Sequence, residues 1–202
     1  RKQVVHTNTE RRIMGGLGMD HPFIVTLRYA FQTDEKLYMV TDYCRGGELF
    51  FHLKKFRTFN EVMVRFYSAE IVCALEHLHS NHVVYRDLKP ENVLLDQDGH
   101  VRVTDFGLSR DNVMTDHDAT TFCGTPEYLA PEIVSRDPKG HGTAVDWWSL
   151  GMLVYEMLTG LPPWYTKDRR ELFRRIQKAP LVFPLHVSRR AQSLIKGLLT
   201  RD

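Results

Sequence analysis

Cysteine is scarce in this chain. Cys44, Cys73 and Cys123 are the only three in 202 residues, an odd number, and none stands at Cys-x-x-Cys spacing. That argues against a disulfide framework and against a zinc site, and it fits a reducing compartment. A cytoplasmic setting, with or without a nuclear share, is therefore expected. An excess of one charge is lacking too. With 27 basic and 25 acidic residues the net charge is +2, too small to point to nucleic acid or to contact with a membrane surface. No apolar run approaches transmembrane length, and no signal peptide, internal repeat or low-complexity tract is present. A phosphate-cradling loop is also missing. Gly15-Gly16-Leu17-Gly18 has the composition for one, but no strand pattern precedes it and no helix opens after it. A helix stop, followed by a turn that His21-Pro22 extends, accounts for these glycines.

What is present is ordinary for a globular domain: 43% hydrophobic and 26% charged residues, in a chain long enough for one full core or for a domain plus part of another. The chain starts at Arg1 and ends at Leu199-Thr200-Arg201-Asp202 within a helical pattern, so a piece of a longer protein is expected.

Hydrophobic periodicity orders the elements. Residues 4–14 read as a helix, with Glu10 four positions before Met14. Residues 24–31 and 37–40 read as two strands, and a connector ends in Gly46-Gly47. Residues 48–56 read as a short amphipathic helix, and Asn60 as the N-cap of the next. In that helix Tyr67, Ile71, Leu75 and Leu78 form a core-facing stripe. His77, His79 and His82 near its end read as solvated or capping histidines, since no carboxylate or cysteine completes a metal set. Residues 108–121 lack apolar periodicity and read as a long loop. Residues 144–159 form a helix that is apolar nearly all round, so Asp146 within it must be paired. Residues 168–178 and 188–199 are two further amphipathic helices.

Chemistry concentrates in Tyr85-Arg86-Asp87-Leu88-Lys89-Pro90-Glu91-Asn92 and in Asp105-Phe106-Gly107. Between them, Val93-Leu94-Leu95, Asp96-Gln97-Asp98-Gly99 and the alternating Val101 and Val103 read as a hairpin. A turn centred on Asp98-Gly99 sets Gln97 opposite His100 and, in the same register, Asn92 opposite Asp105. An amide and a carboxylate facing each other suit a hard cation such as Mg²⁺, which takes few protein ligands and completes its shell with phosphate oxygens. An asparagine cap and an aspartate cap flanking a plain hairpin are the alternative.

These motifs, with Ala130-Pro131-Glu132 in the same order and spacing, resemble the protein-kinase signature set. Tyr85 in place of the usual histidine, Thr121-Phe122-Cys123-Gly124-Thr125-Pro126-Glu127-Tyr128 and Asp146-Trp147-Trp148 are similar to the AGC group of serine/threonine kinases. The protein kinase B, ribosomal S6 kinase and cyclic-AMP-dependent kinase branches all stay open. The resemblance covers essentially the whole chain. It implies an α+β, bilobal protein-kinase fold: residues 1–43 as the remainder of a small lobe, 44–47 as the hinge and 48–202 as a mostly helical large lobe.

The resemblance also implies roles, ATP and Mg²⁺ as cofactors, and protein substrates. Asp87 orients the acceptor hydroxyl and takes its proton, Lys89 reaches the transferred phosphate, Thr125 shapes the acceptor site, and Asn92 and Asp105 hold the metal. ATP lies against Thr41, Asp42, Cys44, Glu48 and Leu94. Thr41 falls at the gatekeeper position, where its small side chain implies a deeper apolar pocket. Glu10 pairs with the ATP-binding lysine. Thr121 is the activation-loop site for an upstream activating kinase, with His6, Arg86 and Arg110 as phosphate partners. Glu48, Glu91 and Glu156 read arginines before the acceptor, and Phe122, Pro126 and Leu129 receive the residue after it. Met14, Leu27, Tyr85 and Phe106 form the apolar stack between lobes, Asp146 anchors the catalytic loop, and Glu132 pairs with an arginine further on. The glycine-rich loop and the ATP-anchoring lysine would lie upstream of Arg1, so the polypeptide alone is expected to be inactive or unstable. A pseudokinase or docking scaffold is the alternative function; the presence of Asp87, Lys89, Asn92 and Asp105 argues against it.

Overall fold

The computed structural model describes residues 2–17, 21–111, 113, 122–135, 138 and 140–201, and in the first helix the side chains of Thr7 and of residues from Thr9 onward. That helix, α1, spans Lys2–Gly15 and stops at the glycines, with the Gly16 amide donating to the Arg12 carbonyl at 2.9 Å. An antiparallel pair follows, β1 (Leu27–Gln32) and β2 (Leu37–Thr41), with Leu27 opposite Thr41 and Gln32 opposite Leu37. A second sheet of three short strands, β3 (Gly47–Glu48), β4 (Val93–Leu95) and β5 (Val101–Val103), runs in the order β3-β4-β5. The remainder is helical: α2 (Leu49–Phe56), α3 (Glu61–Ser80), α4 (Pro131–Ser135), α5 (Ala144–Thr159), α6 (Arg169–Lys178) and α7 (Arg189–Leu198). A small sheet-containing part thus precedes a mostly helical part, the α+β arrangement expected.

The expected strand over residues 24–31 is divided between the two sheets. Ile24 bridges to Val103 in parallel, the Val25 amide donates to the Val103 carbonyl at 2.9 Å, and the Val103 amide donates to the Phe23 carbonyl at 2.8 Å. Burial explains the division. Ile24 and Val25 are fully buried apolar residues that fit the inner edge of β5, while β1 exposes every residue after Leu27.

The helices begin where their caps lie. The Asn60 side chain accepts from the Met63 amide at 2.9 Å. Asp168 accepts from Arg170 and Glu171, and Ser188 from Ala191. In α3, Ile71, Leu75 and Leu78 are fully buried and Tyr67 is half-buried, its ring 5.9 Å from Phe59. Helix α5 is the axis of the core, burying Val145, Trp148, Leu150, Met152, Leu153, Val154, Met157 and Leu158. At about 1.5–3 kcal/mol for each large apolar side chain, α5 holds the helical part together.

The β4–β5 hairpin does not have the expected turn. Val93 faces Val103, Leu94 faces Arg102 and Leu95 faces Val101, one residue away from the register that a turn on Asp98-Gly99 would set. The loop is longer because Asp96 organises it. Its Oδ1 accepts from the amides of Asp98 and His100, its own amide donates to the His100 carbonyl, and Gly99 takes a left-handed φ of 87° that disfavours side chains.

Candidate active site

The candidate catalytic stretch is suspended from α5 by one carboxylate. Asp146, wholly buried, accepts from the backbone amide of Tyr85 at 2.8 Å and of Arg86 at 2.7 Å, and from His79 Nε2 at 2.8 Å. The pairing that its burial requires is thus supplied by loop backbone and by a histidine. The expectation is corrected here for His77 and His79, while His82 is exposed. His79 lies against Asp146 and edge-on to Trp147, and His77 Nε2 lies 3.2 Å from the Leu17 carbonyl. No signal in the local sequence distinguishes His79, because its partner is 67 residues away. Pinned from below, Arg86 takes a left-handed φ of 69°, a conformation that costs on the order of 1–3 kcal/mol and persists only under such restraint.

That restraint aims the next residues into a compact network. Lys89 Nζ donates to Asp87 Oδ2 at 2.9 Å and to Thr125 Oγ1 at 3.0 Å, while Thr125 Oγ1 donates to Asp87 Oδ1 at 3.1 Å. Asn92 Nδ2 donates to the Asp87 carbonyl and to Asp87 Oδ2, both at 2.9 Å. Asp87 is therefore a buried carboxylate with a cation on one side and an amide on the other. Thr125, 38 residues on, joins the network by its hydroxyl.

The shifted hairpin moves the second carboxylate. Thr104, and not Asp105, stands opposite Asn92, its amide donating to the Asn92 carbonyl at 3.0 Å. Asp105 leaves the ladder at a left-handed φ of 58° with its carboxylate exposed, and its Oδ1 accepts from the Gly107 amide at 3.3 Å. The two candidate metal ligands thus sit at the end of one ladder, offset by one residue. Among the described residues, no three His, Cys, Asp or Glu side chains could hold a metal ion by themselves. With both amide hydrogens committed to Asp87, Asn92 presents its oxygen as a ligand. One amide oxygen and one carboxylate fit a cation that takes its other ligands from phosphate and water, as Mg²⁺ does. Glu10 is half-buried on α1. Burial, and then the negative charge of Asp105, push its carboxyl above the usual range, which makes this corner receptive to a cation.

The candidate ATP contacts line up along the connector. Thr41 ends β2 and is half-buried, and the Asp42 amide donates to the Thr26 carbonyl at 3.1 Å. The Asp42 carboxylate is held by Arg28 in a two-pronged pair at 2.6 and 3.1 Å, leaving the backbone as its route to a base. The Cys44 carbonyl accepts from the Gly47 amide, and Glu48 lies directly opposite Leu94 across β3–β4. Gly46 makes that approach possible: a Cβ there would lie 2.6 Å from Leu95 Cβ. The connector is therefore less free than its glycines suggest, since β3 ties it to the sheet carrying Asn92.

The four residues proposed as the apolar stack belong to the core. Met14, Leu27, Tyr85 and Phe106 are all buried in one core cluster, and the Tyr85 and Phe106 rings meet edge-on at 5.3 Å. The Tyr85 hydroxyl donates to the Thr104 carbonyl at 2.5 Å, tying the stack to the residue before Asp105. Glu132 lies in the first turn of α4.

Thr121 lies outside the described residues, as does the His6 side chain. Their candidate partners are described. Arg86 is 6% exposed; its Nε donates to the Leu108 carbonyl at 2.8 Å, and its Nη1 is buried without a partner. Arg110 bridges to Val84, with amide and carbonyl exchanged at 2.9 Å, a single paired residue within the segment expected to be loop.

Of the acidic trio, Glu48 and Glu91 are exposed, but Glu156 is buried and accepts from the Tyr128 hydroxyl in a very short bond. Burial, reinforced by Glu91 and Glu127, pushes its carboxyl up to about 7. Glu127 therefore belongs to this acidic group. Pro126 opens a tight turn over 126–128, Leu129 is buried beneath it, and Phe122 is half-buried with its ring 6.2 Å from Phe173 of α6. Phe122, Pro126 and Leu129 thus share one segment, and Glu48, across the connector, stands apart from Glu91 and Glu156 in sequence and element.

A loop carboxylate bracketed by a lysine, a threonine and an amide, with a second carboxylate at the end of a hairpin, is the constellation of a phosphoryl-transfer domain. Comparison of the whole sequence with protein families agrees: the model of the protein kinase domain matches residues 1–202. The chain belongs to the protein kinase domain family. It is 57% identical to Protein kinase 2 of Dictyostelium discoideum and 55% identical to the RAC family serine/threonine-protein kinase homolog of the same organism. It is 50% identical to the human RAC-beta serine/threonine-protein kinase. These matches cover 99–100% of this chain and 41–44% of the relatives, so the chain spans less than half the length of the proteins it resembles. The similarity to AGC kinases inferred from the motifs thus extends over the whole chain.

Proposed function

We propose that the protein carrying this chain transfers the terminal phosphoryl group of ATP to serine or threonine hydroxyls of protein substrates. The observation that carries the reading is the Asp87–Lys89–Thr125 network. Phosphoryl transfer asks for positioning and charge stabilisation more than for covalent participation. A substrate hydroxyl placed at Asp87 meets a carboxylate that is ready to accept its proton. The Lys89 ammonium, already within reach of Asp87, supplies positive charge where the phosphoryl oxygens pass. Thr125 fixes both and orients the segment on which a peptide lies. Asn92 and Asp105 would hold Mg²⁺, which neutralises phosphate charge when bound. The connector of 44–47 divides the small part, 1–43, from the large part, 48–202, and the base of ATP fits between them against backbone of Asp42 and Cys44, with Leu94 beneath.

The substrates are peptides with arginine before the acceptor, read by Glu91, Glu156 and Glu127, and with an apolar residue after it, received by Phe122, Pro126 and Leu129. Activation comes from phosphorylation of Thr121 by an upstream kinase, since a phosphate of charge near −2 needs buried cations such as Arg86 to order a segment. The three unpaired cysteines suit a cytoplasmic or nuclear setting.

The test is phosphate transfer from radiolabelled ATP to an arginine-containing serine peptide by the full-length protein. Asp87→Asn should abolish transfer while ATP affinity, measured separately, stays within about twofold. Undiminished transfer by Asp87→Asn would overturn the reading.

A further inference from the structure

Two buried polar atoms on neighbouring elements lack hydrogen-bond partners. One is Arg86 Nη1; the other is His141 Nε2, on the segment leading into α5. Both residues are only 6% exposed. A buried polar group left unsatisfied costs about 1–3 kcal/mol, so each requires an account. They belong to one electrostatic neighbourhood. The charged groups acting on His141 are Arg86 from the catalytic stretch, Arg110 from the strand bridged to Val84, and Asp146 from α5. Asp146 has its oxygens engaged by the Tyr85 and Arg86 amides and by His79, so it is not the missing partner. Cys123 also lies within the field of Arg86. The surroundings of His141 are thus two guanidinium groups and one committed carboxylate.

We propose that His141 is an anion-binding residue that, together with Arg86 and Arg110, holds a phosphate monoester by donating its Nε2–H. The proposal rests on the reading of Arg86 and Arg110 as phosphate partners and adds to them a third, titratable group. The chemistry is consistent from both sides. Without an anion, burial and the two arginines keep the imidazole neutral, with its pKa pushed down to about 4. A phosphate dianion bound by the arginines would reverse the field at His141, so that the ring takes up a proton and its second nitrogen becomes a charge-assisted donor. The contact is then present below the raised pKa of the phosphate-bound form and is lost as pH rises through it.

The experiment uses the full-length protein, phosphorylated or unphosphorylated at Thr121, with histidine ring carbons labelled for NMR titration. The expected result is that the His141 resonance titrates at markedly higher pH in the phosphorylated form. A Thr121→Ala protein with added inorganic phosphate distinguishes the source. A shift confined to the phosphorylated form assigns the site to the loop ester; a shift in both assigns it to phosphate in general. His141→Gln, which keeps a neutral polar group, should raise the rate at which a phosphatase removes the Thr121 phosphate about tenfold at pH 6.5, as expected for loss of one charge-assisted hydrogen bond. If His141 titrates identically in every form and His141→Gln is dephosphorylated at the wild-type rate, the proposal fails. The underlying reading of the arginines fails separately, if Arg86→Gln also leaves that rate unchanged.

Discussion

Replacing Asp146 by asparagine changes one atom and almost no volume, yet it should weaken both the fold and the catalytic stretch. Oδ2 accepts from the Tyr85 amide and from His79 Nε2, and Oδ1 accepts from the Arg86 amide. An asparagine has only one oxygen. Its best orientation keeps the Arg86 bond and turns the NH2 group toward Tyr85 and His79. The histidine can answer by switching tautomer and accepting; the Tyr85 amide cannot. The minimum loss is one charge-assisted bond, worth about 1.5–3 kcal/mol, plus one orphaned buried amide at about 1–3 kcal/mol. The sum, about 2.5–6 kcal/mol, is a large share of the roughly 5–15 kcal/mol that a domain of this kind has in total. Urea denaturation of the full-length protein should show a lower midpoint with unchanged slope. Amide hydrogen exchange should show Tyr85 and Arg86 losing protection ahead of α5, and peptide phosphorylation should fall because the strained φ of Arg86 is no longer enforced. His79→Phe, which removes one partner and leaves both backbone bonds, should cost less, about 1–3 kcal/mol. An unchanged midpoint and unchanged Tyr85 and Arg86 protection in Asp146→Asn would falsify the suspension argument, as would a costlier His79→Phe.

Three shorter predictions follow the same geometry. Thr125→Ala should lower kcat about 10–100-fold, the loss of the hydroxyl that joins Asp87 to Lys89, with stability nearly unchanged and with Thr125→Ser restoring most activity. Glu156 holds its proton in the folded state up to about 7, against 4.5 in its ordinary environment. Its contribution to stability is complete below 4.5 and is lost as pH rises toward 7. The difference of about 2.5 units corresponds to about 3 kcal/mol. Glu156→Gln should therefore flatten the stability–pH curve between those limits, and in the wild type the KM for an arginine peptide should fall as pH rises through 7; a KM independent of pH there counts against Glu156 as an arginine reader. Asn60→Ala should remove the cap of α3 and cost about 1 kcal/mol without altering kcat, whereas a loss of activity at equal stability would show that α3 does more than support the core.

Much of the fold was legible because its signals are local. The stop at Gly15-Gly16, the cap at Asn60, the stripe Ile71–Leu75–Leu78 and the all-apolar α5 depend on spacing and capping that neighbouring residues encode. The failures share the opposite property. The hairpin turn was misplaced by one residue because Asp-Gly marks a tight turn only when no side chain competes for the backbone amides, and Asp96 does compete. Periodicity reads 24–31 as one strand because it carries no sign that the first residues pair with β5, some 80 positions later. His79 was passed over for the same reason: a buried acceptor on α5 decides what a histidine at the end of α3 does.

The candidate site divides along that line. Spacing alone pointed to Asn92 and Asp105 as a facing amide and carboxylate and to a pairing requirement for Asp146, while the roles of Asp87, Lys89 and Thr125 came from the resemblance to the protein-kinase motifs. Tertiary structure decided how those groups are used. It set Asp105 one residue off the ladder, hung the loop from Asp146 with His79 as third donor, buried Glu156 so that it holds a proton near neutrality, and left Arg86 Nη1 and His141 Nε2 buried without partners. The physical reason is desolvation. A sequence states which groups can be charged or can donate, but only packing determines which of them lose water, and the loss of water makes their partners obligatory.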